Sequence, residues 1–425
     1  MTEAFLHYLW QNKMLPDRLA TTDGQPVEVV HTGTLNSDAG PDFFNSRIRV
    51  GGVEWVGNVE IHIHSSDWNN HGHHHDEAYN NVVLHVVYEH DNDVRTQSGK
   101  PMPTLELKGL LHPSLVSNYE SLVAPASLDA IACARRVGDV PEFKLSSFME
   151  RLLVERIEAK AATVRRLLEE SRGGWEQTCY WLMAHYFGGK VNSLPFEMLA
   201  KSLDQHLLAR WSDNRERVEA LLMGQAGLLD GYFEDEYARN LQADYEALAT
   251  AAALHPIGGY LWKFYKLRPS SFPTVRISQF ADLMSRSKNL FATLLSLDKT
   301  EDIVEIFQCS ASDYWNTHYR FDQPSEHSAS KRLGTQQSMS LVINAWVPLL
   351  FVYGVEHSSQ EYKDRALALL QQLPVENNVV VRMWTGIGVR PKNAADSQSL
   401  LQLHNNYCTN KRCLECRIGY HILKH

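Results

Sequence analysis

The stretch Val59-Glu60-Ile61-His62-Ile63-His64 alternates apolar and polar residues, and this alternation predicts a half-buried β-strand. In an extended strand, Glu60, His62 and His64 lie on one face, whereas the apolar residues lie on the other. A second acid, Asp42, precedes this strand in the segment Gly40-Pro41-Asp42-Phe43, where the Gly-Pro pair predicts a turn. Two carboxylates at strand ends are oxygen ligands for a divalent cation, so the pattern predicts a metal site.

The order Pro-Asp, strand, acid, apolar residue resembles the signature of the PD-(D/E)XK nucleases. The resemblance implies that Asp42 and Glu60 bind magnesium or manganese and that the chain hydrolyses nucleic acid. The lysine of that signature is replaced by His62. Because histidine titrates near neutral pH and is a common metal ligand, His62 is either a third ligand or the residue that orients or deprotonates the attacking water.

The flanking sequence predicts the elements of such a core. Apolar spacing predicts a first helix around Phe5 to Trp10, and β-rich runs predict four strands, at residues 27–30, 47–50, 59–64 and 82–87. The predicted fold is α+β, with a restriction-endonuclease-like α/β domain that carries the metal site over residues 1–135. A larger all-α helical domain follows over residues 136–425 and ends in a cysteine-rich segment.

A second resemblance extends over most of the chain and is expected to include its carboxy-terminal cysteines. The chain is similar to an uncharacterised bacterial family, domain of unknown function 2851. The likeness rests on the segments Asn36-Ser37-Asp38-Ala39-Gly40-Pro41-Asp42-Phe43, Val59-Glu60-Ile61-His62, Ser66-Asp67-Trp68, His71-Gly72-His73, Tyr79 and Leu84-His85-Val86-Val87. This family has no assigned reaction, so function has to be argued from the residues themselves.

Composition describes an ordinary soluble globular protein of 425 residues with 44% hydrophobic content, long enough for two or three domains. The first residues resemble no signal peptide, and the apolar run from Leu341 to Tyr353 is too short to span a bilayer, so a cytoplasmic location without membrane contact is expected. The net charge of -9 argues against broad nonspecific binding of nucleic acid. A nucleic-acid partner therefore requires a local basic patch.

The helix predicted from Leu145 to Leu168 carries the densest basic residues. Glutamates are interspersed among them, and this spacing is typical of a solvated helix face with i,i+4 ion pairs. Further amphipathic helices are predicted at residues 175–187, 215–229, 241–254, 277–295, 339–353 and 361–373.

Histidines are dense between residues 62 and 85, where seven of the chain's 20 occur. His62, and either His71 or His73, are candidate ligands that join Asp42 and Glu60, because imidazole suits zinc, manganese or iron better than magnesium. The alternative interpretation places the run His73-His74-His75 in an exposed polar loop and makes His85 a hydrogen-bonded core residue. A further acid, Glu3, is a candidate to approach the site from the first helix.

Three of the six cysteines, Cys408, Cys413 and Cys416, form a C-x4-C-x2-C pattern close to the carboxy terminus. Together with His404 they predict a tetrahedral structural zinc site. An iron-sulfur cluster is the alternative, as in some RecB-like nucleases, with Cys133 or Cys309 as the fourth ligand. A third interpretation is that the thiols carry no ligand.

Two function classes remain. The first is a metal-dependent nuclease or phosphodiesterase that acts on nucleic acid through Asp42, Glu60 and His62. The second is a noncatalytic, nuclease-like scaffold or partner-binding protein in which the lysine has been lost. The sequence leaves the oligomeric state, the substrate and the pathway open.

Overall fold

The computed structural model describes residues 1–123 and 131–425. Helix α1 (Glu3–Gln11) begins at Thr2, whose side chain accepts a hydrogen bond from the Phe5 N–H. Its apolar face is buried, and the indole N–H of Trp10 donates to the carbonyl oxygen of Thr32 at 2.9 Å. The apolar residues that predict this helix therefore also bury one of its faces, and Trp10 anchors it to the neighbouring loop.

A seven-stranded sheet follows. Its strands are β1 (Leu19–Ala20), β2 (Pro26–His31), β3 (Thr34–Leu35), β4 (Phe43–Val50), β5 (Val53–His64), β6 (Val82–Glu89) and β7 (Thr104–Glu106). The order is β1-β2-β4-β5-β6-β7, with β3 paired to β4. Pairing is antiparallel from β1 to β5, but β6 runs parallel to both β5 and β7.

The parallel step from β5 to β6 needs a crossover, and short helical turns provide it. They are α2 (Asp67–Asn70) and two 3₁₀ turns, His73–His75 and Glu77–Tyr79. The histidine-rich segment therefore follows the end of β5, which is the strand that carries Glu60. Helix α3 (Pro113–Val123) and the 3₁₀ turn Val137–Asp139 continue the chain.

Most of the remaining chain is helical. The helices are α4 (Glu142–Glu170), α5 (Trp175–Phe187), α6 (Gly189–Ser202), α7 (Gln205–Arg210), α8 (Arg215–Gln225), α9 (Glu236–Ala252), α10 (Pro273–Arg286), α11 (Leu290–Ser296), α12 (Thr300–Ile306), α13 (Thr335–Leu341), α14 (Val347–Glu356), α15 (Gln360–Gln372), α16 (Val379–Gly386), α17 (Ala394–Gln402) and α18 (Arg417–Lys424). Two short strands, β8 (His318–Arg320) and β9 (Gln323–Pro324), form a separate antiparallel pair. A sheet-rich amino-terminal region followed by a mostly helical region confirms the coarse α+β prediction.

The chain divides into two compact units. One comprises Met1–Phe148 together with His404–His425, and the other comprises Met149–Leu403. This division differs from the sequence-based boundary between residues 135 and 136, because the first unit extends into α4. It also differs because the last residues, which carry three of the cysteines, belong to the first unit and not to the helical one.

The most apolar helical run in the described residues is Thr335–Glu356, which is long and apolar enough to cross a membrane. Of its apolar window, 67% is buried inside the protein, as in the core helix of a soluble protein. A π-helical turn, Val342–Trp346, interrupts the run immediately before Pro348. The prediction of a buried helix at this position is confirmed, but the helical run is longer than the predicted segment from Leu341 to Tyr353, so its length alone does not exclude a membrane span. The cytoplasmic location stays an expectation.

Helix α4 contains the predicted i,i+4 ion pairs, Arg151 with Glu155 and Arg166 with Glu170. Lys160 differs from these solvated residues. Its ammonium group donates to Asn344 Oδ1 and to Gln398 Oε1, both at 2.7 Å. Burial, and after it the charge of Arg156, lowers the pKa of Lys160 to about 7.

We expect Lys160 to make stability rise with pH. Its pKa is about 7 in the folded chain and 10.5 ordinarily, so the unfolded chain binds more protons between these values. The free energy of unfolding in urea should therefore rise for the wild type relative to Lys160→Met. The expected rise is on the order of 1 kcal/mol per pH unit between pH 7.5 and 9.5. Lys190→Met, at an exposed position, is the control. Parallel profiles for wild type and Lys160→Met would contradict the assignment.

Candidate metal centre

The loop before β4 holds Asp42 in place. The side-chain amide of Asn36 donates to backbone carbonyls of this loop, including that of Pro41 at 3.1 Å, and the Asn36 N–H donates to the Asp42 carbonyl at 2.7 Å. Gly40 has a φ of 108°, which residues with a side chain rarely adopt. The Gly-Pro sequence therefore makes a fixed turn that directs Asp42 toward β5.

Asp42 and Glu60 are joined by reciprocal hydrogen bonds. The Asp42 N–H donates to Glu60 Oε2 at 3.1 Å, and the Ile61 N–H donates to Asp42 Oδ2 at 2.8 Å. Glu60 is only 5% exposed, whereas Asp42 is half-buried. The two predicted acids are thus neighbours, and each has one oxygen held by the backbone.

Histidines surround the other oxygen of Glu60. Oε1 lies 3.2 Å from Nε2 of His73 and 3.4 Å from Nε2 of His62. Nδ1 of His71 lies 3.2 Å from the same His62 nitrogen. One donor atom from each of these three histidines lies within 4.8 Å of the others. Glu60 and His62 are therefore brought together as predicted, and both His71 and His73 join them.

His73 is buried, so its placement in an exposed loop is wrong. Its ring stacks on Tyr79 with centroids 3.8 Å apart and meets Trp68 edge-on at 5.4 Å. Trp68 is fully buried, and its indole N–H donates to the Arg95 carbonyl at 3.0 Å. Packing against these two aromatic rings therefore holds His73, one of three consecutive histidines, in the interior.

His85 on β6 contacts the ring nitrogen of His62 that faces away from Glu60. His62 Nδ1 and His85 Nε2 are 2.8 Å apart, and His85 is completely buried, as the core interpretation predicts. Burial, followed by the charges of His73 and His71, lowers the pKa of His62 to about 4. Burial also places the pKa of His85 well below its ordinary value. Both rings are neutral at physiological pH, which is the form of imidazole that ligates metals.

The carboxylate itself resists ionisation. Burial raises the pKa of Glu60, and the charge of Asp42 adds to this, whereas His73 and the Asp42 N–H oppose it. A buried acid of this kind needs a compensating positive charge in order to stay ionised.

A seventh side chain, His7 on α1, also reaches the site. Its Nε2 lies 3.2 Å from Asp42 Oδ2. Burial alone would lower the pKa of His7, but the hydrogen bond and charge of Asp42 raise it, with a smaller contribution from Glu3. Glu3, the helix acid expected to approach the site, therefore acts through His7, one turn further along α1. Sequence spacing relative to Asp42 contains no signal for His7.

A cavity of about 970 Å³ adjoins His7. Lys144, Arg417 and Glu415 are the charged residues of its lining, and Tyr8 and Tyr420 are among the aromatic ones. The carboxylate of Glu415 is paired with Arg412 at 2.9 Å, so part of its charge is compensated within the segment. The cavity lies within the first unit and connects α1 with the carboxy-terminal segment.

The carboxy-terminal cysteines lie in a different part of the same unit. Cys408 ends a π-helical turn that begins at Leu403, Cys413 begins a 3₁₀ turn, and Cys416 caps α18. Among the residues described, the group with three donor atoms within 4.8 Å of one another is the histidine trio, to which these thiols do not belong. His404 is half-buried, and its Nδ1 has no hydrogen-bond partner in the described structure.

The residues around Glu60 fit a divalent cation. Imidazole nitrogens of His62 and His73 face a carboxylate oxygen of Glu60, and His73 Nε2 is buried without a hydrogen bond. Such atoms repel one another through their lone pairs unless a proton or a cation lies among them. The donor set of imidazoles and carboxylates is the one that zinc, manganese and iron prefer.

The fold and this cluster together define an α+β protein with a candidate histidine-carboxylate metal centre. A family model described as "Protein of unknown function (DUF2851)" matches residues 3–379, and the chain belongs to this family. The match ends before the cysteine-rich segment, so the expectation that the likeness includes those cysteines is wrong. No curated protein and no solved structure matches the chain.

His73 and His75 provide a matched test of the metal centre, because both lie in one 3₁₀ turn but only His73 faces Glu60. We expect His73→Ala to weaken binding of Mn²⁺ or Zn²⁺ by at least about 10-fold, since one ligand is lost. His75→Ala should bind as the wild type does. Isothermal titration calorimetry on metal-stripped protein measures both affinities, and equal affinities for wild type and His73→Ala would remove His73 from the site.

Proposed function

We propose that this protein is a metal-dependent phosphodiesterase that acts on nucleic acid, with its cation held by Glu60, His62 and His73 beside Asp42. The observation that carries the proposal is that His62 and His73 both face the buried Glu60 carboxylate, with His71 beside His62. Three imidazoles favour manganese or zinc over magnesium, which prefers oxygen ligands and keeps several waters. When bound, the cation would lower the pKa of a coordinated water and neutralise phosphate charge.

The protein's own contribution is to hold these groups in place before substrate arrives. The reciprocal hydrogen bonds fix the Asp42 and Glu60 carboxylates, and His85 fixes the ring of His62. Groups oriented in advance do not have to reorganise during the reaction, and this is a large part of catalytic stabilisation. Trp68 covers the inner side of the cluster and limits access of bulk water from that direction.

His62 has a role different from that of the nuclease lysine. A lysine at this position supplies a positive charge beside the scissile phosphate, whereas His62 is neutral, buried and directed at Glu60. The proposal therefore assigns His62 to the metal and not to the substrate. The order of helix, antiparallel strands, short helical crossover and parallel strand supports a nuclease-like core around it.

The substrate path is proposed to pass His7. His7 contacts Asp42 and also lines the cavity of about 970 Å³. Lys144 and Arg417 supply local positive charge in a chain whose net charge is -9. Tyr8 and Tyr420 are aromatic surfaces of the kind on which unpaired bases stack. A single strand is therefore favoured over a duplex.

The competing function is a noncatalytic scaffold, and an activity assay separates the two. We expect Mn²⁺-dependent cleavage of fluorescent single-stranded oligonucleotides by the wild type, and a loss of at least about 100-fold in kcat for Asp42→Ala and for Glu60→Ala. Asp38→Ala is the control, because Asp38 lies exposed in the same loop.

Circular dichroism melts would show that the variants remain folded, and Glu60→Gln gives a second variant that keeps the side-chain length. Unchanged turnover in the Asp42 or Glu60 variants would disprove the assigned residues. Absence of cleavage by metal-loaded wild type, with single-stranded and duplex DNA and RNA, would favour the scaffold.

A further inference from the structure

A second cluster in the first unit consists of four thiols and is independent of the proposed hydrolytic site. Three are the carboxy-terminal cysteines Cys408, Cys413 and Cys416. The fourth is Cys133, which lies far away in sequence, between α3 and α4, and belongs to the same compact unit.

Backbone contacts bring Cys133 toward the carboxy terminus. The Val137 N–H donates to the Cys133 carbonyl at 2.9 Å, so Cys133 lies one turn before the 3₁₀ turn Val137–Asp139. Helix α18 packs against that 3₁₀ turn, and Nε2 of His421 on α18 lies 3.2 Å from the Asp139 carbonyl oxygen. The first residue of α18 directly follows Cys416, which therefore approaches Cys133.

The carboxy-terminal segment folds back so that its own cysteines meet. After Cys408 the chain reverses through Lys411, which has a φ of 52° and whose N–H donates to the Cys408 carbonyl at 3.1 Å. The Cys416 N–H lies 3.3 Å from the Cys413 carbonyl oxygen. A Cβ on Gly419 would lie 2.0 Å from that oxygen, so only glycine permits this close approach.

The thiols also influence one another electrostatically. Burial raises the pKa of Cys133 to about 12, with further contributions from Cys416 and Cys413. Burial likewise raises the pKa of Cys408, and the charges of Cys133, Cys416 and Cys413 raise it further. These contributions indicate that Cys133 and Cys408 lie near Cys413 and Cys416, in agreement with the backbone contacts.

Backbone donors distinguish Cys416 from an ordinary core cysteine. Burial raises its pKa to about 11, but the N–H groups of Gly419 and Ile418 are directed at its sulfur and oppose the rise. Donors aimed at a sulfur stabilise the thiolate, which is the form that binds metals.

We propose that Cys133, Cys408, Cys413 and Cys416 ligate an iron-sulfur cluster that ties the carboxy-terminal segment to the first unit. A single tetrahedral zinc ion would draw its sulfur ligands to within roughly 4 Å of one another. In the described residues no three of these thiols form a group within 4.8 Å, and a cluster holds its ligands further apart than one ion does. Cys133 replaces His404 as the fourth ligand, because α18 packs against the 3₁₀ turn that follows Cys133 and so brings Cys416 toward it.

The cluster would also shape the cavity beside His7. Cys416, Arg417 and Tyr420 belong to that cavity's lining, so a cluster that anchors the start of α18 fixes one wall of it. The proposal does not require the protein to be a phosphodiesterase, and its test does not use activity.

The experiment is anaerobic purification of the full-length chain, followed by measurement of iron, acid-labile sulfide, zinc and the visible absorption spectrum. We expect about two to four iron atoms per chain with an equal amount of sulfide, and visible absorption that bleaches on reduction. Cys133→Ser and Cys413→Ser should each retain less than about a fifth of the iron. The matched controls are Cys179→Ser and Cys309→Ser, at buried positions in the other unit, which should keep it.

Measurement on the wild type keeps the proposal falsifiable even where a variant folds poorly. Stoichiometric zinc without sulfide would overturn the cluster, and metal-free protein with four freely titratable thiols would overturn the site. Full iron content in a folded Cys133→Ser variant would remove Cys133 from the ligand set.

Discussion

A carboxylate buried at the centre of a sheet determines much of the first unit. Glu60 is on a strand with neighbours on both sides, and its side chain is only 5% exposed because the Asp42 loop, His62 and His73 pack over it. Leaving such a group ionised and unpaired costs several kcal/mol. The Asp42 N–H and His73 of the crossover compensate it in part. A bound cation, as proposed, would complete this compensation.

The regular elements of this region could be predicted from sequence because the spacing of apolar residues indicates which face of a helix or strand is buried. Alternation predicted β5, and apolar runs predicted the first helix and β2, β4 and β6. The neighbouring positions of Asp42 and Glu60 followed from the turn and the strand that carry them. Among the helices, residues 277–295 were predicted as one helix, but the structure breaks it between α10 and α11, because apolar spacing continued across a polar turn at Ser287 to Asn289.

Side chains that reach the sites from distant parts of the chain could not be predicted in the same way. His73 is one of three consecutive histidines, and tertiary packing against Tyr79 and Trp68 distinguishes it from its exposed neighbour His75. His7 contacts Asp42 because α1 packs beside β5, a tertiary contact without a local sequence signal. Cys133 was one of two candidate partners for the carboxy-terminal thiols, and the fold of the first unit selects it over Cys309, which lies in the other unit.

The central claim is that a divalent cation lies among Glu60, His62 and His73, and anomalous diffraction tests it most directly. Crystals of the full chain grown with Mn²⁺ or Zn²⁺ should show one strong anomalous peak about 2.0–2.3 Å from Glu60 Oε1 and from Nε2 of both histidines. Asp42 and His71 should border the same peak. An anomalous map with ordered side chains at this position and no peak among them would contradict the account.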